Sequence, residues 1–296
     1  MTITLNIQKN ISTPTEPKNR FSEFAGIWKD RDINIMNIKS LFLAIITIIL
    51  GILFFIEPMA QDLNYHNFAD SRTIYSVDNF WNVVSNIPYF LVGIYAFYKM
   101  YWLKSLKLLS EIKIAYFFLF LGVTLVAFGS VYYHLNPNNE TLLWDRLPMS
   151  IAFMGLFSLV ISEFYSIKLG KALIYPLVVV GISSVVYWYV GELNGYGDLR
   201  FYLLVQFLPI LLMPLMFIFF KGSFTLTRGY WWLLFFYLLS KIFEYFDREI
   251  FELLHIISGH SLKHIISAVG LSVLLIVFEK RVRVCSKTKN KDFPIV

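Results

Sequence analysis

Five residues that could bind a metal ion or transfer protons stand at the ends of strongly apolar segments. Ser130 and His134 are four residues apart, so on a helix they share one face, and Asp145 follows an Asn-Pro-Asn-Asn turn. His260 and His264 repeat the four-residue spacing at the head of the last apolar segment. Three imidazoles can bind zinc and leave a fourth position for water, as catalytic zinc sites do. The alternative is that each histidine is only a hydrogen-bonding residue at a membrane interface.

The composition indicates a membrane protein. Hydrophobic residues make up 57% of the 296 residues and charged residues 16%, and the mean hydropathy is +0.61. Ordinary soluble domains carry about 25% charged residues. The only cysteine, Cys285, excludes an intrachain disulfide and a cysteine-built metal site. The net charge of +6 does not predict a nucleic-acid partner, because the basic residues are sorted by membrane side.

Eight apolar runs are long enough to cross a bilayer. Since backbone polar groups must be paired in lipid and the runs are too long for barrel strands, we expect helices and an all-α fold. The first run, Ser40 to Ile56, is predicted to be a retained transmembrane span. The polar segment before it is too long for a signal peptide, and no cleavage site of the small-x-small type follows it. The second run ends near Met100, and the other six cover 113–134, 142–163, 171–191, 199–220, 229–247 and 260–279.

Charge sorting gives the predicted topology. Lysine and arginine concentrate in the N-terminal tail, in the loops at 99–113, 168–171 and 221–228, and after residue 279, whereas the alternate loops hold few. By the positive-inside rule both termini are cytoplasmic, as eight spans require. The predicted regions are a polar cytoplasmic tail (1–39), an extra transmembrane helix (40–57), a core (58–280) and a basic cytoplasmic tail (281–296).

This topology brings the five polar residues to one side of the membrane. The third span ends at His134, the fourth begins close to Asp145, and the last begins at His260. All of these ends are predicted to be extracytoplasmic. Ionisable groups at membrane depth are costly and usually functional, so the convergence favours a zinc site over isolated interface residues.

The same residues resemble a known family pattern. Ser130-x-x-x-His134, Asp145 and His260-x-x-x-His264 are similar to the motifs of the alkaline ceramidases. Those enzymes belong to a superfamily of seven-helix membrane zinc hydrolases that includes the progestin/adiponectin-type receptors and the Per1-like proteins. The segment 79–86, NFWNVVSN, also resembles the ceramidase text that enters the first core helix. The resemblance implies a seven-helix bundle, here with one additional N-terminal transmembrane helix.

The resemblance also implies roles for the site residues. His134, His260 and His264 would bind Zn²⁺, and Ser130 and Asp145 would line the same site as catalytic residues. In amide hydrolysis, zinc makes water acidic enough to attack near neutral pH. Asp145 would accept the proton of that water and pass it to the departing amine, and Ser130 would donate a hydrogen bond to the carbonyl oxygen.

A calcium site is a further implication of the resemblance. The family binds Ca²⁺ near the loop that precedes its first core helix, and the corresponding loop here is rich in oxygen donors, which suit calcium. Asp62 and Asn67 match best, and Asn79 stands where the family can have a glutamate. The alternative is a hydrogen-bonded polar loop with capping residues.

The sequence therefore predicts a zinc-dependent amidohydrolase that cleaves a ceramide-like membrane lipid to a sphingoid base and a fatty acid. Two alternatives stay open: an esterase or amidase for another membrane lipid, and a receptor or transport protein with a structural zinc. The expected partners are the lipid substrate and the bilayer, and the sequence does not indicate an oligomeric state. Heavy use of Ile, Asn, Lys and Phe without organelle signals favours a bacterial inner membrane.

Overall fold

The chain is all-α in a computed structural model that describes residues 35–284. Its helices are α1 (Ile35–Phe55), α2 (Phe80–Val84), α3 (Ile87–Phe97), α4 (Lys113–Leu135), α5 (Asn139–Val160), α6 (Ile167–Leu193), α7 (Arg200–Phe219), α8 (Arg228–Tyr245), α9 (Asp247–Leu254) and α10 (Gly259–Lys280). Cys285 and most of the two predicted tails, 1–39 and 281–296, lie outside the described residues. The chain divides into two compact units, Met1–Ile45 and Ile46–Val296, and every contact below belongs to the second.

Seven helices of the described part are long and apolar enough to cross a membrane, so the protein is a multi-pass membrane protein. They are Ile38–Phe55, Phe80–Trp102, Ser110–Leu135, Asn139–Tyr165, Ile167–Leu193, Arg200–Phe219 and Gly259–Lys280. The prediction of eight spans is met only in part. The span expected at 229–247 is the helix α8, whose 18 residues include Arg228, Lys241 and Glu244, too many charges to qualify by composition.

Helices α4 and α5 cross at very close range, which brings the serine and the aspartate together. A Cβ on Gly129 would lie 2.0 Å from the Trp144 carbonyl oxygen, so only glycine allows this approach. Ser130 follows Gly129 on α4, and Asp145 follows Trp144 on α5. The crossing therefore sets these two side chains on neighbouring helices at the same depth of the bundle.

The reversal between α4 and α5 is the one that the Asn-Pro-Asn-Asn text predicts. The Asn138 side chain accepts hydrogen bonds from the backbone N–H groups of Glu140 (2.9 Å) and Thr141 (3.0 Å). The Thr141 hydroxyl oxygen accepts one from the Asn138 N–H at 3.2 Å, which completes a capping box. The cap starts α5 immediately after the turn, so that His134 at the end of α4 and Asp145 near the start of α5 both lie close to the same turn.

At the opposite end of the bundle, Glu163 and Arg281 form a buried ion pair to which Tyr116 and Tyr230 are hydrogen-bonded. We call these four residues the clasp. The Arg281 guanidinium donates to both Glu163 carboxylate oxygens, at 2.8 and 2.9 Å, and both side chains are almost fully buried. Both tyrosine hydroxyls also donate to this carboxylate, Tyr230 at 2.8 Å. The clasp joins the chain after α10 to the helices α4 and α8 and to the end of the α5 span.

Candidate metal centre and adjoining cavity

Three buried imidazoles meet where α4 ends and α10 begins. His134 lies in the last turn of α4, and His260 and His264 lie in the first two turns of α10. One ring nitrogen from each lies within 4.8 Å of the other two, and the side chains are 1 to 5% exposed. Among the residues that the structure describes, this is the only group of three or more His, Cys, Asp or Glu residues placed to hold a metal ion.

The geometry of the nitrogens fits a tetrahedral metal. The Nε2 atoms of His134 and His260 are 3.3 Å apart. Two imidazole nitrogens bound to zinc at about 2.0–2.1 Å with a tetrahedral angle lie about 3.3–3.4 Å apart. The cluster can therefore hold a metal ion, and an all-imidazole ligand set suits zinc and also copper, iron and nickel.

Ser85 sets the orientation of His264. The Ser85 hydroxyl donates to the Asn82 carbonyl oxygen (3.1 Å), so its oxygen is free to accept from the Nδ1–H of His264 at 2.9 Å. This leaves the Nε2 lone pair of His264 for a metal, the usual arrangement for a histidine ligand whose other nitrogen is hydrogen-bonded. The His134 Nδ1 atom, in contrast, is buried and has no hydrogen-bond partner among the described residues.

Asn82 connects the short helix α2 to the histidine helix α10. Its side-chain oxygen accepts from the Ser261 hydroxyl at 2.7 Å, and its amide donates to the Asp70 carbonyl oxygen at 3.1 Å. Asn82 is fully buried. Because Ser261 lies between the two histidines of α10, this contact fixes the rotation of that helix and with it the direction of both imidazoles.

Two more backbone contacts fix the ends of the histidine helices. The Asp247 carboxylate accepts hydrogen bonds from the backbone N–H of His260 (2.6 Å) and of Ala69 (3.0 Å). This links the start of α10 to the polar loop that precedes α2. The Asn79 amide donates to the His134 carbonyl oxygen at 2.9 Å, where the end of α4 lacks helical donors. Both ends of the cluster are therefore held by side chains of the loop and of α9.

A cavity of about 370 Å³ adjoins the cluster. Ser130, Asp145 and His264 all line it, and Ser130 and Asp145 interact through their side chains. His264 therefore belongs both to the cavity lining and to the histidine cluster. Of the residues that sequence reasoning singled out, the structure gathers the three histidines into the cluster and places Ser130 and Asp145 beside it.

The cavity is polar at one end and apolar along its length. It extends along α4 from Ser130 to Leu119, about 16 Å at the rise of an α-helix. Away from the polar end its walls are apolar: Leu119, Val123, Leu156, Phe207, Ile210 and Met213. A cavity of this shape accepts a long hydrocarbon chain with its polar end beside the histidines.

Helix α8 brings charges to the polar end of the cavity. The Glu244 carboxylate forms ion pairs with Lys241 on its own helix (2.7 Å) and with Lys263 on α10 (2.6 Å), and all three line the cavity. The Tyr65 hydroxyl donates to the same carboxylate at 3.3 Å. Lys241 and Glu244 of α8 therefore face the cavity and pair there.

The candidate calcium residues lie in two different environments. Asp62 and Asn67 flank the short 3₁₀ turn Leu63–His66 and are exposed, and the Asp62 carboxylate accepts from the Asn64 N–H at 2.9 Å. Asn79 is buried and hydrogen-bonds the backbone of His134. The capping contact of Asp62 is the one expected of a hydrogen-bonded polar loop.

Sequence reasoning missed Ser85 and Phe68. The Phe68 ring packs against two ligand candidates, with its centroid 4.7 Å from that of His134 and 4.6 Å from that of His260. For Ser85 a signal was available, because the segment 79–86 carries four polar residues at the head of an apolar span. For Phe68 no signal was available, since one aromatic residue in a loop has no pattern.

Comparison with known proteins yields one family. The family model described as Ceramidase matches residues 65–295, which is more than half of the chain. Comparison with curated proteins and with solved structures gave no match.

Proposed function

The chain belongs to the ceramidase family, and on that premise we propose that it uses zinc to hydrolyse the amide bond of ceramide-like lipids within the membrane. The products would be a sphingoid base and a fatty acid. The observation that carries the proposal is the buried cluster of His134, His260 and His264, which opens through His264 onto a cavity shaped for a lipid chain. The family already implies a hydrolase, a lipid substrate and a membrane location.

Each catalytic residue has a defined task in this reaction. Zinc, when bound by the three histidines, supplies Lewis acidity for the attacking water and the scissile carbonyl group. Asp145 takes a proton from the attacking water while the oxygen of that water bonds to the carbonyl carbon. It returns the proton to the amine nitrogen as the C–N bond breaks. Ser130 donates a hydrogen bond to the carbonyl oxygen as negative charge develops there.

The cavity supports the choice of a long-chain substrate. A fatty acyl chain can lie against the apolar walls between Leu119 and Met213, with its carbonyl group at Ser130 and Asp145. Because the lipid tails of the bilayer are as apolar as these walls, transfer of the chain into the cavity contributes little free energy by itself. The shape of the cavity therefore positions the scissile bond, since polar partners for the amide lie only at its polar end.

The test is hydrolysis by purified protein. We expect fatty acid release from ceramide that stops after chelation and returns with added zinc. A panel of ceramides, monoacyl esters and other N-acyl lipids identifies the preferred bond. Release from esters alone would replace the amidase with an esterase. No release from any lipid by the zinc-loaded protein would overturn the proposed enzyme and favour a receptor-like or transport protein.

We also propose the topology: eight spans, both termini cytoplasmic, a core at 58–280 and a site that opens to the extracytoplasmic side of a bacterial inner membrane. The asymmetry of basic residues between alternate loops supports it. In a Cys285→Ser background, an impermeant thiol reagent should label Glu140→Cys in intact cells and Lys289→Cys only after permeabilisation. The reverse pattern would contradict this orientation.

A calcium ion bound by Asp62, Asn67 and Asn79 is a separate proposal. Hard oxygen donors in one loop next to the first core helix support it. The double variant Asp62→Ala/Asn67→Ala should lose calcium binding in a titration and keep zinc, because neither side chain contacts the histidines. Calcium affinity that is unchanged in this variant would show that these residues only cap the loop.

A further inference from the structure

Arg146 is a buried cation in the wall of the cavity. It lies on α5 next to Asp145, only 6% exposed, and lines the cavity with Ser130 and Asp145. Its guanidinium carbon is 4.2 Å from the ring centroid of Trp188 and 4.8 Å from that of Tyr202. These rings belong to α6 and α7, so Arg146 packs where α5 faces those two helices.

The hydrogen bonds of this guanidinium are incomplete. Nη2 donates to the Gln61 side-chain oxygen at 2.6 Å, whereas Nη1 is buried and has no acceptor in the described chain. Within residues 35–284 no carboxylate forms an ion pair with Arg146. Glu192, in the same corner, has its Oε1 engaged by the Trp188 indole N–H (2.9 Å) and the Gln61 N–H (2.6 Å).

The other buried arginine of the described residues shows what a protein partner looks like. Arg281 donates to both oxygens of Glu163 and also stacks on aromatic rings. Burying an unpaired charge carries a large desolvation cost. Stacking on aromatic rings returns a smaller favourable free energy. The aromatic rings around Arg146 therefore offset only part of its burial, and an anionic ligand can supply the remainder.

The balance of charge in the cavity agrees. Its walls carry three basic residues, Arg146, Lys241 and Lys263, and two acidic residues, Asp145 and Glu244. Glu244 pairs with both lysines, whereas Arg146 forms no ion pair within the described part of the chain. Guanidinium groups bind phosphate, sulfonate and carboxylate through parallel N–H donors.

We propose that Arg146 binds an anionic oxygen group on the head of the lipid, so that the preferred substrate is an N-acyl lipid whose amine portion carries a phosphate, sulfonate or carboxylate. This rests on the proposed amide hydrolysis. The acyl chain occupies the apolar length of the cavity, the amide lies at Ser130 and Asp145, and the head lies at the wall made by Arg146 and Tyr202. The Trp188 and Tyr202 rings pack against the guanidinium and hold it there. Arg146 is thus a specificity-determining residue.

The first experiment compares two amides that differ only in the head: N-hexadecanoyl sphingosine and its 1-phosphate. The full chain, zinc-loaded in a nonionic detergent, should hydrolyse the phosphate with a kcat/KM about 10- to 100-fold higher, the worth of a hydrogen-bonded charge. Arg146→Met keeps the stem that packs on the rings and should abolish this ratio through KM. Arg146→Lys should retain part of it. The matched control is Arg248→Met, which removes an exposed arginine of α9 outside the cavity and should leave the ratio unchanged.

A preference of the wild type for the neutral amide would overturn the inference while leaving the proposed function intact. So would an Arg146→Met variant that loses activity equally on both lipids, because that is the result of a structural role. If Arg146→Met does not fold, the preference of the wild type and the partial retention in Arg146→Lys decide the question.

A binding experiment without any amide separates this inference from the proposed function. Hexadecyl phosphate should bind the wild type about 10- to 100-fold more tightly than hexadecanol does, and this difference should vanish in Arg146→Met. That result would support the anion site even if no amide were hydrolysed. Equal binding of the two lipids would overturn it. Inorganic phosphate that binds as tightly as hexadecyl phosphate would overturn the lipid head as the ligand and identify a free anion.

Discussion

The two ends of the helix bundle both bury charged and polar side chains, and they differ in how completely those groups are paired. In the clasp the Glu163 carboxylate receives two tyrosine hydroxyls and the guanidinium of Arg281. At the cavity end, the Arg146 Nη1 atom is buried without a partner among the described residues, and three imidazoles have ring nitrogens placed to hold a metal ion. A satisfied buried network stabilises the fold, whereas these groups are available for a ligand and a metal.

The largest effect is expected at the cavity end. Asp145→Asn preserves the shape of the side chain but removes the proton acceptor, so turnover of the preferred amide should fall about 10²–10⁴-fold. Metal content and thermal stability should stay near the wild-type values. Steady-state kinetics and metal analysis on the same preparation check this, with Glu249→Gln, an exposed position on α9, as the control. Loss of the metal in Asp145→Asn would mean that Asp145 supports the metal and is not the base.

A change in the clasp should lower the stability of the fold and leave metal binding intact, whereas Asp145→Asn should lower turnover and leave stability near the wild-type value. Glu163→Leu leaves the Arg281 charge buried and unpaired, which should lower the free energy of unfolding by about 3–5 kcal/mol. The fraction that remains folded should still bind metal. Denaturant unfolding in mixed micelles measures the loss, and the double variant Glu163→Leu/Arg281→Met should recover most of it, because apolar replacements remove both charges. A Glu163→Leu variant that kept its stability but lost its metal would break the distinction between the two ends.

Ser130→Ala tests the second catalytic residue of the cavity. If its hydroxyl stabilises the developing charge on the carbonyl oxygen, removing it should lower kcat about 10²-fold and leave the metal in place. Ser240→Ala is a suitable comparison, since Ser240 also lines the cavity but donates its hydroxyl to the Tyr237 carbonyl oxygen at 2.7 Å. Equal losses in the two variants would show that the cavity responds to any lost hydroxyl and would remove Ser130 from its role.

A smaller effect is expected at Ser85. Without its hydroxyl, the Nδ1–H of His264 loses its acceptor, so metal affinity should fall about 10–100-fold. Competition with a chelator of known affinity measures this change. Ser272→Ala is the control, because Ser272 lies on α10 with His264 but donates its hydroxyl to the Ala268 carbonyl oxygen at 2.8 Å. Unchanged affinity in Ser85→Ala would mean that the packing around His264 alone sets its orientation.

Local patterns in the sequence were enough to predict the helices, the α4–α5 turn and the grouping of the histidines. Four-residue spacing at helix ends is a local property, and the end at which each helix places its residues follows from the alternation of the spans. The clasp and the Ser85–His264 contact, which joins residues 179 positions apart, follow only from how the helices pack.

The charged residues of α8 and α5 also show that tertiary pairing cannot be read from the sequence. The amino-acid composition of α8 argues against a membrane helix because of Lys241 and Glu244, but it does not show that these two side chains pair inside the bundle. Arg146 did give a signal, because an arginine within an apolar span is a functional candidate on cost alone. Its missing carboxylate partner could be recognised only once α6 and α7 were placed around it.

Metal content and amide hydrolysis in single histidine variants test the proposed zinc site itself. His134→Ala, His260→Ala and His264→Ala each leave two ligands where an open tetrahedral site needs three, so zinc and turnover should be lost together. His255→Ala, an exposed histidine outside the cluster, should retain both. Three cluster variants that keep zinc and turnover would place the site elsewhere and contradict the proposed function.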